Sequence, residues 1–165
     1  MTDATPRSAT PLLAKVLTVS DGVFHGTRDD AGGRGVVAHL EANGFEVVAH
    51  QVTEDGADQV AVRLAELCAG FSGVVVTTGG TGFAPRDQTP EGTAQVIERD
   101  APGLAEAMRL VSPHGRLGRG RAGIVGRAIV LNVPGSPKGA VEQLDAIVDV
   151  LPHAVRLLAA EPTEH

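Results

Sequence analysis

The sequence predicts an α/β domain of three layers, with a doubly wound, mostly parallel sheet and helices on both faces. Three observations carry that expectation. Strand-like runs alternate with amphipathic helical stripes along the whole chain. The runs are short and continuously apolar, as in Val74-Val75-Val76, which suits strands buried on both faces. The chain has no Trp or Tyr and only four Phe, so the core must be built from Val, Leu, Ile and Ala. A length of 165 residues fits a single domain with a sizeable core. The expected limits are a flexible lead-in over 1–13, the domain over 14–160 and a polar tail over 161–165.

Ala14–Val19 is the first strand. Ser20-Asp21-Gly22 ends it, and a polar loop with His25, Arg28, Asp29 and Asp30 runs to Gly33. A loop after the first strand of a parallel sheet lies at its carboxyl edge, where ligands bind. Asp21 and Asp30 read equally as solvated loop acids. Gly35–Asn43 is the first helix, with Val36, Val37 and Leu40 inward and Asn43-Gly44 as its stop. Phe45–Val52 is the second strand, in which His50 reads as half-buried. Asp58 is placed to cap the next helix, whose stripe is Val60, Leu64, Leu67 and Cys68. Cys68 is the single cysteine and reads as a small core residue.

The third strand leads into Gly79-Gly80-Thr81-Gly82, then Arg86-Asp87, then Thr89 as N-cap and Pro90 as first residue of a helix over Pro90–Arg99. Loop amides without side chains to shield them converge readily on a phosphate, and a helix N-terminus favours one. A bare GGTG also reads as a tight turn. It is not a P-loop, because no Lys-Ser/Thr pair follows Gly82, nor a dinucleotide fingerprint, because Pro85 stands where the third glycine belongs. Asp55 with Gly56 is explained by turn chemistry alone.

Pro102-Gly103 breaks the helix, and Leu104, Ala107, Met108 and Val111 form the next stripe. His114–Gly123 holds Arg116, Arg119 and Arg121 among glycines, either a mobile surface loop or a local receiver of anions. Ala122–Val125 and Ala128–Val133 are strands. The second runs into Pro134-Gly135-Ser136-Pro137-Lys138, where Ser136 is placed as N-cap and Pro137 as first helical residue. This is a second strand, glycine and helix-N-terminus element. Val141, Leu144, Ile147, Val148 and Leu151 continue as a helical stripe that Pro152 kinks or ends.

The net charge of −6 argues against a nucleic-acid binder. No stretch approaches the ~20 apolar residues of a membrane span, and Met1–Pro11 lacks a signal-peptide core, so a cytoplasmic protein is expected.

The string TTGGTG…RDQTPE and the later NVPGSPKG together resemble the two signatures of the MogA and MoaB family of molybdenum-cofactor biosynthesis, whose eukaryotic relatives include the gephyrin G domain. The resemblance runs from about Lys15 to Leu158. It extends to Ser20-Asp21, Gly26, Asp30 and Gly32 after the first strand, with Gly22 where relatives often carry Arg. Glu54 stands where they carry Pro, and Gly118-Arg119 replaces their Ser-Arg.

The resemblance implies a molybdopterin adenylyltransferase, in which molybdopterin and ATP give adenylyl-molybdopterin and pyrophosphate with Mg²⁺. It also implies a homotrimer, in some members a hexamer, that passes its product to a molybdate-inserting protein. The residues it implies are Asp55 and Asp87 for catalysis and Mg²⁺. Thr78, Gly79, Gly80, Thr81, Gly82, Arg86, Gly135, Ser136 and Pro137 would bind substrate, and Ser20, Asp21, Asp30 and Arg119 the nucleotide. Arg86 and Arg119 would offset phosphate charge. The alternative is a paralogue that binds molybdopterin without adenylyl transfer.

Overall fold

The computed structural model describes residues 10–161; most of the expected lead-in, and the tail beyond Glu161, lie outside them. The six strands are β1 (Leu13–Val19), β2 (Glu46–Thr53), β3 (Ser72–Thr78), β4 (Arg99–Asp100), β5 (Ala122–Val125) and β6 (Arg127–Val133). The helices are α1 (Asp21–Phe24), α2 (Ala31–Ala42), α3 (Ala57–Cys68), α4 (Thr89–Val96), α5 (Pro102–Arg109), α6 (Pro137–Asp145) and α7 (Leu151–Leu158). They form one sheet in the order β2-β1-β3-β6-β5-β4. The pairs β1–β2, β1–β3 and β3–β6 are parallel, and β5 and β4 add an antiparallel edge.

Side chains alternate across the parallel strands, and both faces are apolar. Val16, Val74, Val76, Ile129 and Leu131 point to one side, where they pack with Val36 and Leu40 of α2, Met108 of α5, Leu144 of α6 and Val155 of α7. Leu17, Val19, Val75 and Val130 point to the other, against Val60, Leu64, Leu67 and Cys68 of α3. Cys68 is buried, and burial pushes its thiol up to about 11, so it packs as a core residue.

The chain leaves β1 for β2 on one side, then crosses back over β1 to β3 on the other. The winding reverses between β1 and β3, and a crevice opens at the carboxyl ends of strands where this happens.

Several boundaries differ from expectation. The first long helix starts at Ala31, not Gly35, because the Asp30 carboxylate accepts from the Gly33 amide and caps it. Asp58 lies inside the first turn of α3; Gly56 holds the cap position, and the Ala57 amide donates to Gln88 instead. Thr89 is likewise not the cap of α4. It is the first helical residue, fully buried, and its hydroxyl donates to the Gly79 carbonyl.

Helix α4 ends at Val96 because Arg99 and Asp100 pair with Ile124 and Gly123, extending the sheet by an edge strand. Pro152 does not end a helix. The stripe breaks after Asp145, and Pro152 sits in the first turn of α7, where a missing N–H costs nothing. The basic loop is anchored: Pro113–Leu117 forms a 3₁₀ turn, and the side chains of Arg119 and Arg121 reach Glu91 and Asp100.

One buried polar network ties the edge to the centre. Asn132, 1% exposed, donates to the hydroxyls of Thr77 and Thr93 at 2.9 Å each and accepts from the Arg121 amide at 3.0 Å. Asn132→Leu would leave the buried Thr77 hydroxyl and the Arg121 amide without this partner, while the Thr93 hydroxyl keeps the Thr89 carbonyl. A single such group costs ~1–3 kcal/mol. The variant should therefore lose about 2–4 kcal/mol in a urea unfolding titration, and an unchanged midpoint would show that the network carries no stability.

Candidate active site

The two glycine turns leave neighbouring parallel strands and meet. The Gly79 amide donates to the Val133 carbonyl at 3.1 Å, and the Thr78 hydroxyl donates to the Pro134 carbonyl at 2.8 Å. A Cβ placed on Gly135 would come 3.4 Å from the Gly79 Cα, and one on Gly32 would come 2.6 Å from the Gly135 carbonyl oxygen. Only glycines permit the tips after β3 and β6, and the start of α2, to approach so closely.

Together they floor a cleft of about 1110 Å³ lined from three directions. Thr18 to Ser20 and Arg28 to Gly33 come from the β1 side. Asp55, Thr78 to Gly82 and Asp87 form the middle. Pro134 to Gly139 close the β6 side, with residues of the Val111–Gly118 segment above. The volume exceeds the roughly 300–1,000 Å³ of a single small-ligand site.

Two helices aim their N-terminal amides here. Ser136 caps α6 by accepting from the Gly139 amide at 3.3 Å, with Pro137 as the first helical residue. Asp30 caps α2 and is further held by the Thr18 hydroxyl at 2.9 Å and by His50 Nε2 at 3.0 Å. A Cβ on Gly33 would fall within 2.3 to 2.5 Å of Thr18 Oγ1, Asp30 Oδ2 and His50 Nε2, so this cluster requires glycine there. The resemblance implied a nucleotide-binding role for Asp30; its carboxylate is largely used up as a cap.

Asp55 and Asp87 flank the glycine loop. A Cβ on Gly80 would lie 3.2 Å from Asp55 Oδ1, and one on Gly82 would lie 2.9 Å from Asp87 Oδ2. Asp55 and Asp21 exchange bonds: the Asp21 amide donates to Asp55 Oδ2 at 2.9 Å, and the Asp55 amide to Asp21 Oδ1 at 3.1 Å. Burial raises the Asp55 carboxyl above its ordinary range, the Asp21 amide opposes this, and the charges of Asp21 and Asp87 add to the rise. Excess negative charge is therefore stored beside bare loop amides. Such a place fits a divalent cation with oxygen ligands, of which one or two carboxylates suffice when phosphates supply others. Among the described residues no cluster of three or more His, Cys, Asp or Glu forms a protein-only metal site.

Two expected phosphate receivers stand outside the cleft. Arg86 donates to both oxygens of Asp21, at 2.6 and 2.9 Å, and to the Asp55 carbonyl at 3.0 Å. That pairing holds the Asp21 carboxyl below its ordinary range. Arg119 donates to the Gly82 carbonyl at 2.9 Å, to the Asp87 carbonyl at 2.6 Å and to Glu91, whose carboxyl it holds low. Both arginines fix the loops that carry Asp55, Gly82 and Asp87. Asp21, expected at the nucleotide, is a strut of the same kind. Ser20 lines the cleft while its hydroxyl caps α1 through the Val23 amide. Sequence reasoning missed Arg28 and Lys138 as lining residues, although both adjoin expected site positions.

Known proteins resemble this chain in sequence and in fold. The chain is 35% identical to a molybdopterin adenylyltransferase of Helicobacter pylori over 151 residues, 87% of this chain and 85% of that one. It is 47% identical over 89 residues to the molybdenum cofactor synthesis protein cinnamon of Drosophila melanogaster, covering 52% of this chain but only 15% of that longer protein. The fold superposes on the crystal structure of the molybdopterin biosynthesis enzyme MoaB of Thermus thermophilus with a TM-score of 0.84 and 43% identity, over 93% of this chain and 99% of that one. The family profile described as "Probable molybdopterin binding domain" matches residues 15–153, nearly the whole sheet and its helices, and the chain belongs to that family.

Proposed function

We propose that this chain is a molybdopterin adenylyltransferase that moves AMP from Mg-ATP to the phosphate of molybdopterin and releases pyrophosphate. One observation carries the reading: two glycine turns, the second opening helix α6, lie side by side under one cleft with two carboxylates at its edge. The reaction brings two phosphate-bearing molecules together, and a pair of adjoining anion sites is what that requires. The 35% identity to a named adenylyltransferase supports it.

An oxygen of the pterin phosphate attacks the α-phosphorus of ATP. The new phosphorus–oxygen bond forms as the bond from that phosphorus to the bridging oxygen breaks, and the electron pair leaves with pyrophosphate. Catalysis of such a transfer is chiefly positioning and charge compensation. The amides of Gly80 to Gly82 and the start of α6 hold and orient the phosphates. Asp55 and Asp87 would hold the Mg²⁺, which when bound neutralises charge on the phosphate oxygens. Arg119 keeps Gly82 and Asp87 in register, and the Asp21–Arg86 pair does the same for Asp55.

In this reading the protein works in the cytoplasm and hands its product to a molybdate-inserting protein. No helix among the described residues is long and apolar enough to cross a membrane. Phe83, Leu110 and Leu117, exposed by 71%, 82% and 53%, offer apolar surface that a neighbouring subunit of the proposed homotrimer would cover.

The test is pyrophosphate release by the purified protein with molybdopterin and Mg-ATP. Release that needs both substrates is the expected result. Tight molybdopterin binding with no release would instead identify a binding protein without transfer.

A further inference from the structure

ATP brings several negative charges to the cleft, and most nearby cations are already engaged. Arg86 is paired with Asp21, Arg119 with Glu91, and Arg34 with Asp29. Lys138 lies 3.8 Å from Glu142. Arg28 differs. It lines the cleft and is exposed, and among the described residues no carboxylate pairs with it. Its neighbours Asp29 and Asp30 are held by Arg34 and by Thr18, Gly33 and His50, respectively.

The stem of Arg28 is fixed although its head is free. The Gly22 carbonyl accepts from the amides of Thr27 at 2.8 Å and Arg28 at 3.1 Å, and from the Thr27 hydroxyl at 3.2 Å. The side chain lies over Gly22, where an added Cβ would come 3.1 Å from Arg28 Cβ and 3.7 Å from its Nε. Gly22 directly follows Asp21, the residue interlocked with Asp55. The guanidinium is thus rooted on the same small unit as the carboxylate that would hold Mg²⁺. A polyphosphate is the ligand that engages a divalent cation and a guanidinium side by side, the planar fork matching phosphate oxygens.

We propose that Arg28 is the binding residue for the β- and γ-phosphates of the nucleotide, a role that rests on the adenylyl-transfer reading above. Because Arg28 is exposed and bonded to the protein only through its backbone amide, replacing its side chain leaves the fold intact.

The test is isothermal titration of the whole chain and of its Arg28→Ala and Arg28→Lys variants with Mg-ATP, AMP and molybdopterin. In Arg28→Ala, the dissociation constant for Mg-ATP should rise about tenfold to a hundredfold, the range for losing a charged hydrogen bond. Arg28→Lys should fall between, since it keeps the charge and loses the fork. Affinities for AMP and molybdopterin should not change. An Arg28→Ala variant that binds Mg-ATP as the unaltered protein does, or that loses molybdopterin instead, overturns the assignment alone. An unaltered protein that binds molybdopterin but no Mg-ATP overturns both this assignment and adenylyl transfer.

Discussion

On the proposed adenylyl-transfer function, Asp55→Asn and Asp87→Asn should each lower turnover by about a hundredfold to a thousandfold, the usual effect of removing one preorganised electrostatic group, while the protein stays folded. Each substitution keeps an oxygen where the carboxylate now accepts: from the Asp21 amide at Asp55 and from the Ala84 amide at Asp87. Only the charge goes.

The sign of the stability change at Asp55 follows from its raised pKa, caused first by burial and then by the charges of Asp21 and Asp87. A raised carboxyl binds its proton more tightly in the folded state. Its favourable contribution is complete below the ordinary value of 3.8 and is lost as pH rises through the folded value. At pH 7 the ionised group is a standing cost, so Asp55→Asn should melt at the same temperature as the unaltered protein or higher, with any gain shrinking toward pH 4. Added Mg²⁺ should stabilise the unaltered protein and not the variant, since it relieves charge that the variant lacks. Thermal scans at the two pH values, with pyrophosphate release, decide it. A clear drop in melting temperature at pH 7 would make Asp55 a structural residue, and full activity would remove it from catalysis.

The glycine turns were legible in the sequence because everything that makes them is local. At Gly79 a strand leads straight into a glycine turn, and at Ser136 a strand, a glycine turn and a helix start follow one another within a few residues. The fate of the charged residues was not legible. Arg86 finds Asp21 across 65 positions, and Arg119 finds Glu91 across 28. Those meetings depend on β1 lying between β2 and β3 and on the 3₁₀ turn folding back over the glycine loop, which no local spacing encodes. Edge strand β4 was hidden for a related reason. Arg99 and Asp100 carry no strand-like pattern, and only their pairing with β5 makes them one. Helix starts were misjudged where more than one polar residue could cap. At α2 the structure uses Asp30, and at α4 the buried Thr89 hydroxyl ties the helix to Gly79 instead of capping it.

That tie makes Gly80→Ala a damaging change at the site. Gly80 has φ +69°, a left-handed conformation that costs an ordinary L-residue ~1–2 kcal/mol. The added Cβ would also stand 2.2 Å from Thr89 Oγ1. Thr89 has no room to retreat: it is fully buried, its hydroxyl donates to the Gly79 carbonyl at 2.9 Å, and its amide donates to the Gly80 carbonyl at 3.0 Å. Displacing that hydroxyl sacrifices a buried bond worth another ~1–3 kcal/mol. A total of about 3 kcal/mol corresponds to a melting temperature lower by roughly 6–12 °C for a chain of this size. Activity should be lost as well, because the same Cβ approaches Asp55 Oδ1 at 3.2 Å and disturbs its position.

Gly82→Ala is the control. Its Cβ meets only the Asp87 carboxylate, at 2.9 Å, so activity should fall with little change in melting temperature. Combining Gly80→Ala with Thr89→Ala removes the clashing oxygen, and the double variant should lose less stability than the two single losses added. A Gly80→Ala protein with an unaltered melting temperature and full pyrophosphate release would show that the loop can take a side chain. Contact between its bare amides and phosphate would then no longer explain why glycine stands there.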